Sequence, residues 1–293
     1  MDANLYARIQ EWIAISENDL KSSRILYLAN QHHTSYFLFQ QSVEKAVKAL
    51  ALFAGFTDKE LKEKIGHNPL KVFAKNIGDS KREISELIEN LEKFPGLKNH
   101  KLMKPFDFNE YHRFLDGAII ALNDLKNEDF VFLGIEDIDS LLDSVEEAEY
   151  AEVELPQFDS QEFAERLSDL ADFFTQAPSK PGEMTAPEFA SLISTHEGRR
   201  QMYQIIRYGI KKNLTAAYFG AAFVACAFFT VQHSTKTRYI DGDTSPLKIY
   251  TKRLPLVRKQ GEIMDTFERA VRTFKRFLGA EFALSNASKK QPL

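Results

Sequence analysis

Apolar residues fall at three- and four-residue steps through most of this chain, the period of one face of an α-helix. The clearest run places Tyr36, Phe39, Val43, Val47 and Leu50 on one face of a helix over residues 35–54. Gln41, Glu44, Lys45 and Lys48 fall on the other side, with Glu44 and Lys48 spaced as an i,i+4 pair in the favourable order. Gly55, just past the apolar run, has the character of a C-terminal cap. Asn68 followed by Pro69 reads as an N-cap with proline in the first helical position. His67 precedes that cap, where the exposed N–H groups of a new helix can face an anion.

The same pattern predicts the neighbouring elements. Leu5, Ile9, Ile13, Leu20 and Tyr27 mark a helix over 5–30, and the short link Gln31-His32-His33-Thr34 favours antiparallel packing on the helix over 35–54. Thr57 with Glu60, and Ser80 with Glu83, have capping-box spacing, which predicts helix starts near 58 and 81. The second of these runs to Phe94, before Pro95-Gly96. Residues 96–108 read as an irregular basic connection, and 109–127 as a helix. Residues 135–154 hold nine acidic residues and no basic one, yet Ile138, Leu141, Leu142 and Val145 keep helical spacing. Asp159 with Glu162 opens a short helix that ends before a Pro/Ser/Gly break at 177–182. Thr185 and Glu188 predict a helix over 186–211, followed by an apolar helix over 213–234. Residues 237–255 read as loop with an extended piece at 247–250. The last helix, 256–279, aligns Ile263, Phe267, Ala270, Val271, Phe274 and Leu278, and the tail beyond 285 is expected to be disordered.

Composition narrows the class. An apolar share of 44% with 27% charged residues is that of a folded chain, and 293 residues suffice for one large core or two domains. A net charge of −4 makes no whole-chain case for nucleic acid. Most of the 24 phenylalanines sit at helix-face spacings, which points to aromatic packing. The single cysteine, Cys226, excludes an intramolecular disulfide and is consistent with a reducing compartment. The amino terminus lacks the basic-then-apolar pattern of a secretory signal, so a cytoplasmic location is expected. Residues 214–231 carry no charge over eighteen positions, near the lower length for a membrane span. Their alanines, Thr and Tyr favour a buried core helix, and a membrane association is not expected.

The run Asn18-Asp19-Leu20, then Tyr36, Phe39-Gln40-Gln41, Glu44-Lys45-Ala46, Lys48-Ala49-Leu50, Gly55 and Gly66-His67-Asn68, resembles the HEPN domain. That family carries a D-L on its first helix, an F-x-x-Q-Q-x-x-E-K-x-x-K-A-L second helix and a G-H-N turn. The resemblance covers roughly residues 10–75 and implies an all-α, up-down antiparallel helical bundle, here with additional helices. It further implies nucleotide or RNA binding, a homodimer, and a stress, toxin–antitoxin or phage-defence setting, in some members beside a partner nucleotidyltransferase. The nucleases of the family carry Arg, four to six residues, then His. No Arg and His in this chain stand at that spacing, which points away from catalysis. Arg238-Tyr239-Ile240-Asp241 and the 256–279 helix resemble the family's closing turn and helix, with Ile where Pro is usual.

Two organisations fit these signals: one bundle split by a long helical insertion, or a second, degenerate unit in the C-terminal half. The layout is a HEPN-like bundle over 1–130, an acidic helix and linker over 131–182, a C-terminal helical region over 183–285, and a tail over 286–293. No phosphate-binding Gly loop, HExxH, CxxC or nucleophile elbow occurs. Adjacent His32 and His33 point to different helix faces and make a poor chelate, so neither metal nor cofactor is expected. Gln41, Glu44, Lys45, Lys48, His67 and Asn68 form the best ligand-binding constellation, a candidate for phosphate. Its alternative is a surface Glu44–Lys48 pair with His67 buttressing a turn. A second candidate sets the basic residues Arg199, Arg200, Lys211, Lys212, Lys252, Arg253, Arg258 and Lys259 against the acidic segment; its alternative is pairing within the chain. A third is the loop with Lys98, His100, Lys101 and Lys104, whose alternative is a solvated connection.

Overall fold

A computed structural model describes residues 1–105, 107–124, 133–176, 184–239 and 245–288. Asp2 accepts a hydrogen bond from the Leu5 amide and opens α1 (Ala3–Leu28). Asn30, at φ 58°, turns the chain in the left-handed region that Asn tolerates, and α2 (His32–Phe53) returns beside α1. Ile9, Ile13, Ser16, Leu20 and Ser23 are the buried positions of α1, a strict four-three alternation. Two serine pairs set the register. Ser16 and Ser42 exchange hydroxyl-to-carbonyl hydrogen bonds at 2.8 and 2.7 Å, and Ser23 and Ser35 do so at 2.7 and 2.8 Å. The paired numbers run in opposite directions, so the helices are antiparallel, and the small side chains let the two backbones approach closely.

Gly55, at φ 91°, ends α2, and the Phe56 amide bonds back to the Ala51 carbonyl at 3.0 Å. Thr57 and Glu60 make a complete capping box on α3 (Asp58–Glu60), which passes into a wide π turn over Leu61–Ile65. Next come α4 (Leu70–Lys93), α5 (Pro95–Lys98), α6 (Phe108–Asp124), α7 (Ile135–Glu149) and α8 (Gln161–Gln176). The remainder is α9 (Ala186–Ser194), α10 (His196–Thr230), α11 (His233–Lys236), α12 (Pro246–Ile249), α13 (Pro255–Arg258) and α14 (Gln260–Ser288). Among the described residues the secondary structure is entirely helical.

Several boundaries differ from expectation. Ser80 and Glu83 start no helix, because α4 runs through them; a capping box inside a favourable helical stretch has no free amides to satisfy. Ser160 rather than Asp159 caps α8, accepting from the Phe163 amide. The helix expected over 186–211 breaks at Thr195 and then continues unbroken to Thr230. Within the stretch 247–250, residues through Ile249 are helical rather than extended, with Pro246 opening the turn and Tyr250 ending it. Helix α14 extends to Ser288, past the expected start of the tail, and α8 ends at Gln176, while 289–293, the 177–182 break and Ile240-Asp241 of the closing turn lie outside the residues described.

The chain divides into two compact units. The first comprises Met1–Lys75, Ile120–Ala151 and Leu214–Leu293. Its core is aromatic, and α14 lies against α2 there: Phe39 and Phe267 meet edge-to-face at 5.6 Å, and Phe53 meets Phe274 at 6.0 Å. Phe219 and Phe223 of α10 pack onto Phe274 at 5.0 and 5.8 Å. Cys226 is buried in this core. By length and composition α10 is long and apolar enough to cross a membrane; Tyr218, Phe219, Phe223 and Phe229 on it are buried within the unit. The second unit comprises Asn76–Ile119 and Glu152–Asn213, with a smaller core that includes Leu97, Leu115, Phe163, Leu167 and Phe189.

Candidate functional site

Helix α2 is buried on nearly every face, so its polar residues need partners. Glu44 is the centre. Its side chain is 6% exposed, and its carboxylate accepts from Lys48 Nζ at 2.7 Å and from Gln40 Nε2 at 3.3 Å. His67 Nδ1 stands 3.2 Å from both oxygens. These donors nearly fill the carboxylate's acceptor capacity. Gln41 Nε2 donates in turn to Gln40 Oε1 at 2.7 Å.

The chain after the π turn delivers His67. Gly66 adopts φ 58° with ψ −122°, a conformation that favours glycine, and its amide bonds back to the Leu61 carbonyl. Asn68 Oδ1 then accepts from the Leu70 amide at 3.0 Å and caps α4. His67 is therefore held between a turn and a cap, with its Nδ1 edge toward Glu44 and its side chain 83% exposed. A proton on Nδ1 donates to Glu44 and leaves Nε2 as the solvent-facing nitrogen.

Glu44 corrects the expectation of a polar helix face, since it is buried rather than exposed, and its pair with Lys48 is not a surface pair. The packing of α2 against its neighbours removes that face from water, and the matched donors make the burial tolerable. Lys48 is 15% exposed and stands 5.6 Å from the Trp12 ring centroid. Lys45 reaches instead to α1, where it pairs with Asp19. The structure thus gathers Lys48 and His67 around the Glu44 carboxylate, ties Gln41 to it only through Gln40, gives Asn68 a capping role, and joins Lys45 to Asp19. Each lysine has a carboxylate of its own, so the cluster is close to neutral. Gln40, Asp19 and Trp12 complete it. The first two stand within the motif that carries the family resemblance, whereas Trp12 has no such signal.

The basic set divides between the units: Arg199, Arg200, Lys211 and Lys212 in the second, Lys252, Arg253, Arg258 and Lys259 in the first. The acidic helix α7 pairs with one member of the latter group, Lys259, through Asp139 at 2.9 Å, and with Arg269 of α14 through Glu149 at 3.4 Å. In the second unit Lys101 pairs with Asp169, Lys98 with Glu92 at 3.6 Å, and His100 packs edge-on to Phe173. Among the described residues no group of three His, Cys, Asp or Glu side chains is placed to hold a metal.

These features define an all-α bundle whose second helix organises a polar cluster around a buried glutamate. A family model of the HEPN domain matches residues 9–177, more than half of the chain, and the protein belongs to that family. The family's role is related to nucleotides and RNA. No curated protein and no solved structure matches the chain.

Proposed function

We propose that this protein binds a nucleotide or RNA without cleaving it, and that the phosphate contact lies at the outer edge of the Glu44 cluster. The observation that carries the reading is the buried carboxylate that fixes Lys48 and His67 together while the imidazole remains 83% exposed. An ammonium has three donors, so Lys48 and Lys45 keep N–H groups beyond those given to Glu44 and Asp19. The near-neutral charge balance makes recognition local and modest, not a broad basic footprint. With Lys45 and Lys48 as the cationic contacts to single-stranded RNA, log K is expected to fall against log salt with a slope of roughly −1.4.

The test is titration of labelled single-stranded RNA and of ATP at two salt concentrations. Lys45→Met and His67→Ala should each weaken binding about tenfold, the loss of one charge-assisted contact of about 1.4 kcal/mol. Unchanged affinity in both variants, or no binding at low salt, overturns the reading. A homodimer, a nucleotidyltransferase partner and a stress or defence setting belong to the same proposal and rest on the family alone.

A second reading is a ribonuclease with non-standard residues. It is favoured by the His67–Glu44 pair, which leaves Nε2 free to take a proton from a 2′-hydroxyl. Incubation with RNA separates the two readings: intact RNA supports binding alone, and cleavage lost in His67→Ala supports catalysis.

A further inference from the structure

Within the first unit, α7 and α10 form an apolar groove of about 450 Å³ that the Glu44 cluster does not use. One wall is Leu141, Ser144 and Val145 of α7; the other is Ala221, Val224, Ala225 and Phe228 of α10. The α10 residues are spaced i, i+3, i+4, i+7, and the two alanines keep that wall low. Ser144 is the polar member of the lining, and its hydroxyl donates to the Ser140 carbonyl at 2.9 Å on its own helix. The groove therefore offers apolar contact with little competing hydrogen bonding.

The α7 side of the groove is acidic. Asp139 and Glu149 of α7 are paired with Lys259 and Arg269. Glu136, Asp143 and Glu147 are exposed and have no ion-pair partner among the described residues. Their i, i+7, i+11 spacing sets them in one column along α7, on the side of Ser144 away from the core. Asp143 and Glu147 repel as an i,i+4 like-charge pair, with no ion pair to relieve it among the described residues. An apolar trough beside an unmatched acidic column is complementary to one kind of occupant.

We propose that this groove docks an amphipathic helix of a partner protein, with apolar anchors at i, i+3 or i+4, and i+7 and with Lys or Arg on the flank that faces α7. The inference is independent of the phosphate reading, since it shares no residue with the Glu44 cluster. Apolar burial supplies the affinity, while the acidic column sets the orientation of the helix and rejects acidic sequences.

The test uses two labelled 18-residue peptides with the same leucine anchors, one bearing flanking lysines and one flanking glutamates, read by fluorescence anisotropy on the full chain. The lysine peptide is expected to bind at least tenfold more tightly than the glutamate peptide. The surface variant Glu136→Lys/Asp143→Lys/Glu147→Lys should reverse that preference, and Ala221→Gln should weaken both peptides. Circular dichroism melts establish that each variant remains folded. Equal binding of both peptides, or a preference unmoved by the charge reversal, overturns the proposal. So does a self-association in sedimentation that Ala221→Gln abolishes, because the occupant is then a second copy of the chain.

Discussion

Replacing Glu44 with alanine removes the acceptor shared by Lys48, Gln40 and His67. His67 is exposed and rehydrates at little cost, but Gln40 is 1% exposed and the Lys48 side chain 15%. Breaking a fully buried ion pair costs about 3–5 kcal/mol, mainly through the charge left behind. Residual exposure of Lys48 and its position near Trp12 bring the expectation to the lower end, about 3 kcal/mol. Glu44→Gln keeps the shape and one acceptor oxygen and should cost roughly half as much. Lys48→Met placed on top of Glu44→Gln removes the orphaned charge, so the double variant should recover about 1–2 kcal/mol relative to additivity. Urea unfolding of the natural chain, Glu44→Ala, Glu44→Gln, Lys48→Met and the double variant at pH 7 measures the loss and the coupling through the transition midpoints. A loss below about 0.5 kcal/mol in Glu44→Ala, or a coupling within about 0.5 kcal/mol of zero, refutes the view that Glu44 organises the site.

The Glu60 carboxyl is held down to about 2 from 4.5, first by the Thr57 amide and then by its hydroxyl. A lowered carboxyl contributes stability that is present above pH 4.5 and lost as pH falls through about 2, so the stability gap between the natural chain and Glu60→Gln should close over that window, as urea midpoints at stepped pH will read. Thr57→Ala removes the other half of the capping box and should cost about 1 kcal/mol in the same assay. Burial pushes the Cys226 thiol well above its ordinary value, so iodoacetamide should label it at pH 8 only after denaturation. Labelling of the folded protein at the rate of a free thiol contradicts its placement in the core.

Helical periodicity revealed the main elements because each apolar stripe is read within a single segment: α2, α7 and the Phe267–Phe274 stripe of α14 all follow from spacing alone. Capping chemistry was legible where the amides it serves are free, as at Thr57 and Thr185, and misleading at Ser80, where α4 continues. The serine pairs that set the α1–α2 register were not legible, since Ser16 and Ser23 acquire their role only from Ser42 and Ser35 on another helix. The burial of Glu44 was hidden for the same reason: a helical wheel shows which residues share a face, not how many faces the neighbours cover. The proximity of His67 to Glu44 was implied by the family motif, while the Gly66 turn that produces it is a backbone property that Gly permits but does not announce.

The measurement closest to the central claim is the response of the His67 ring in a proton–nitrogen spectrum as ATP or a short RNA is added at low salt. A phosphate contact at the Glu44 cluster gives a saturable shift at His67 Nε2 that high salt reverses and that Lys45→Met weakens, while His196 and His100 in the second unit stay unmoved. A His67 resonance that does not respond while ligand binds, or a shift confined to the second-unit histidines, contradicts it.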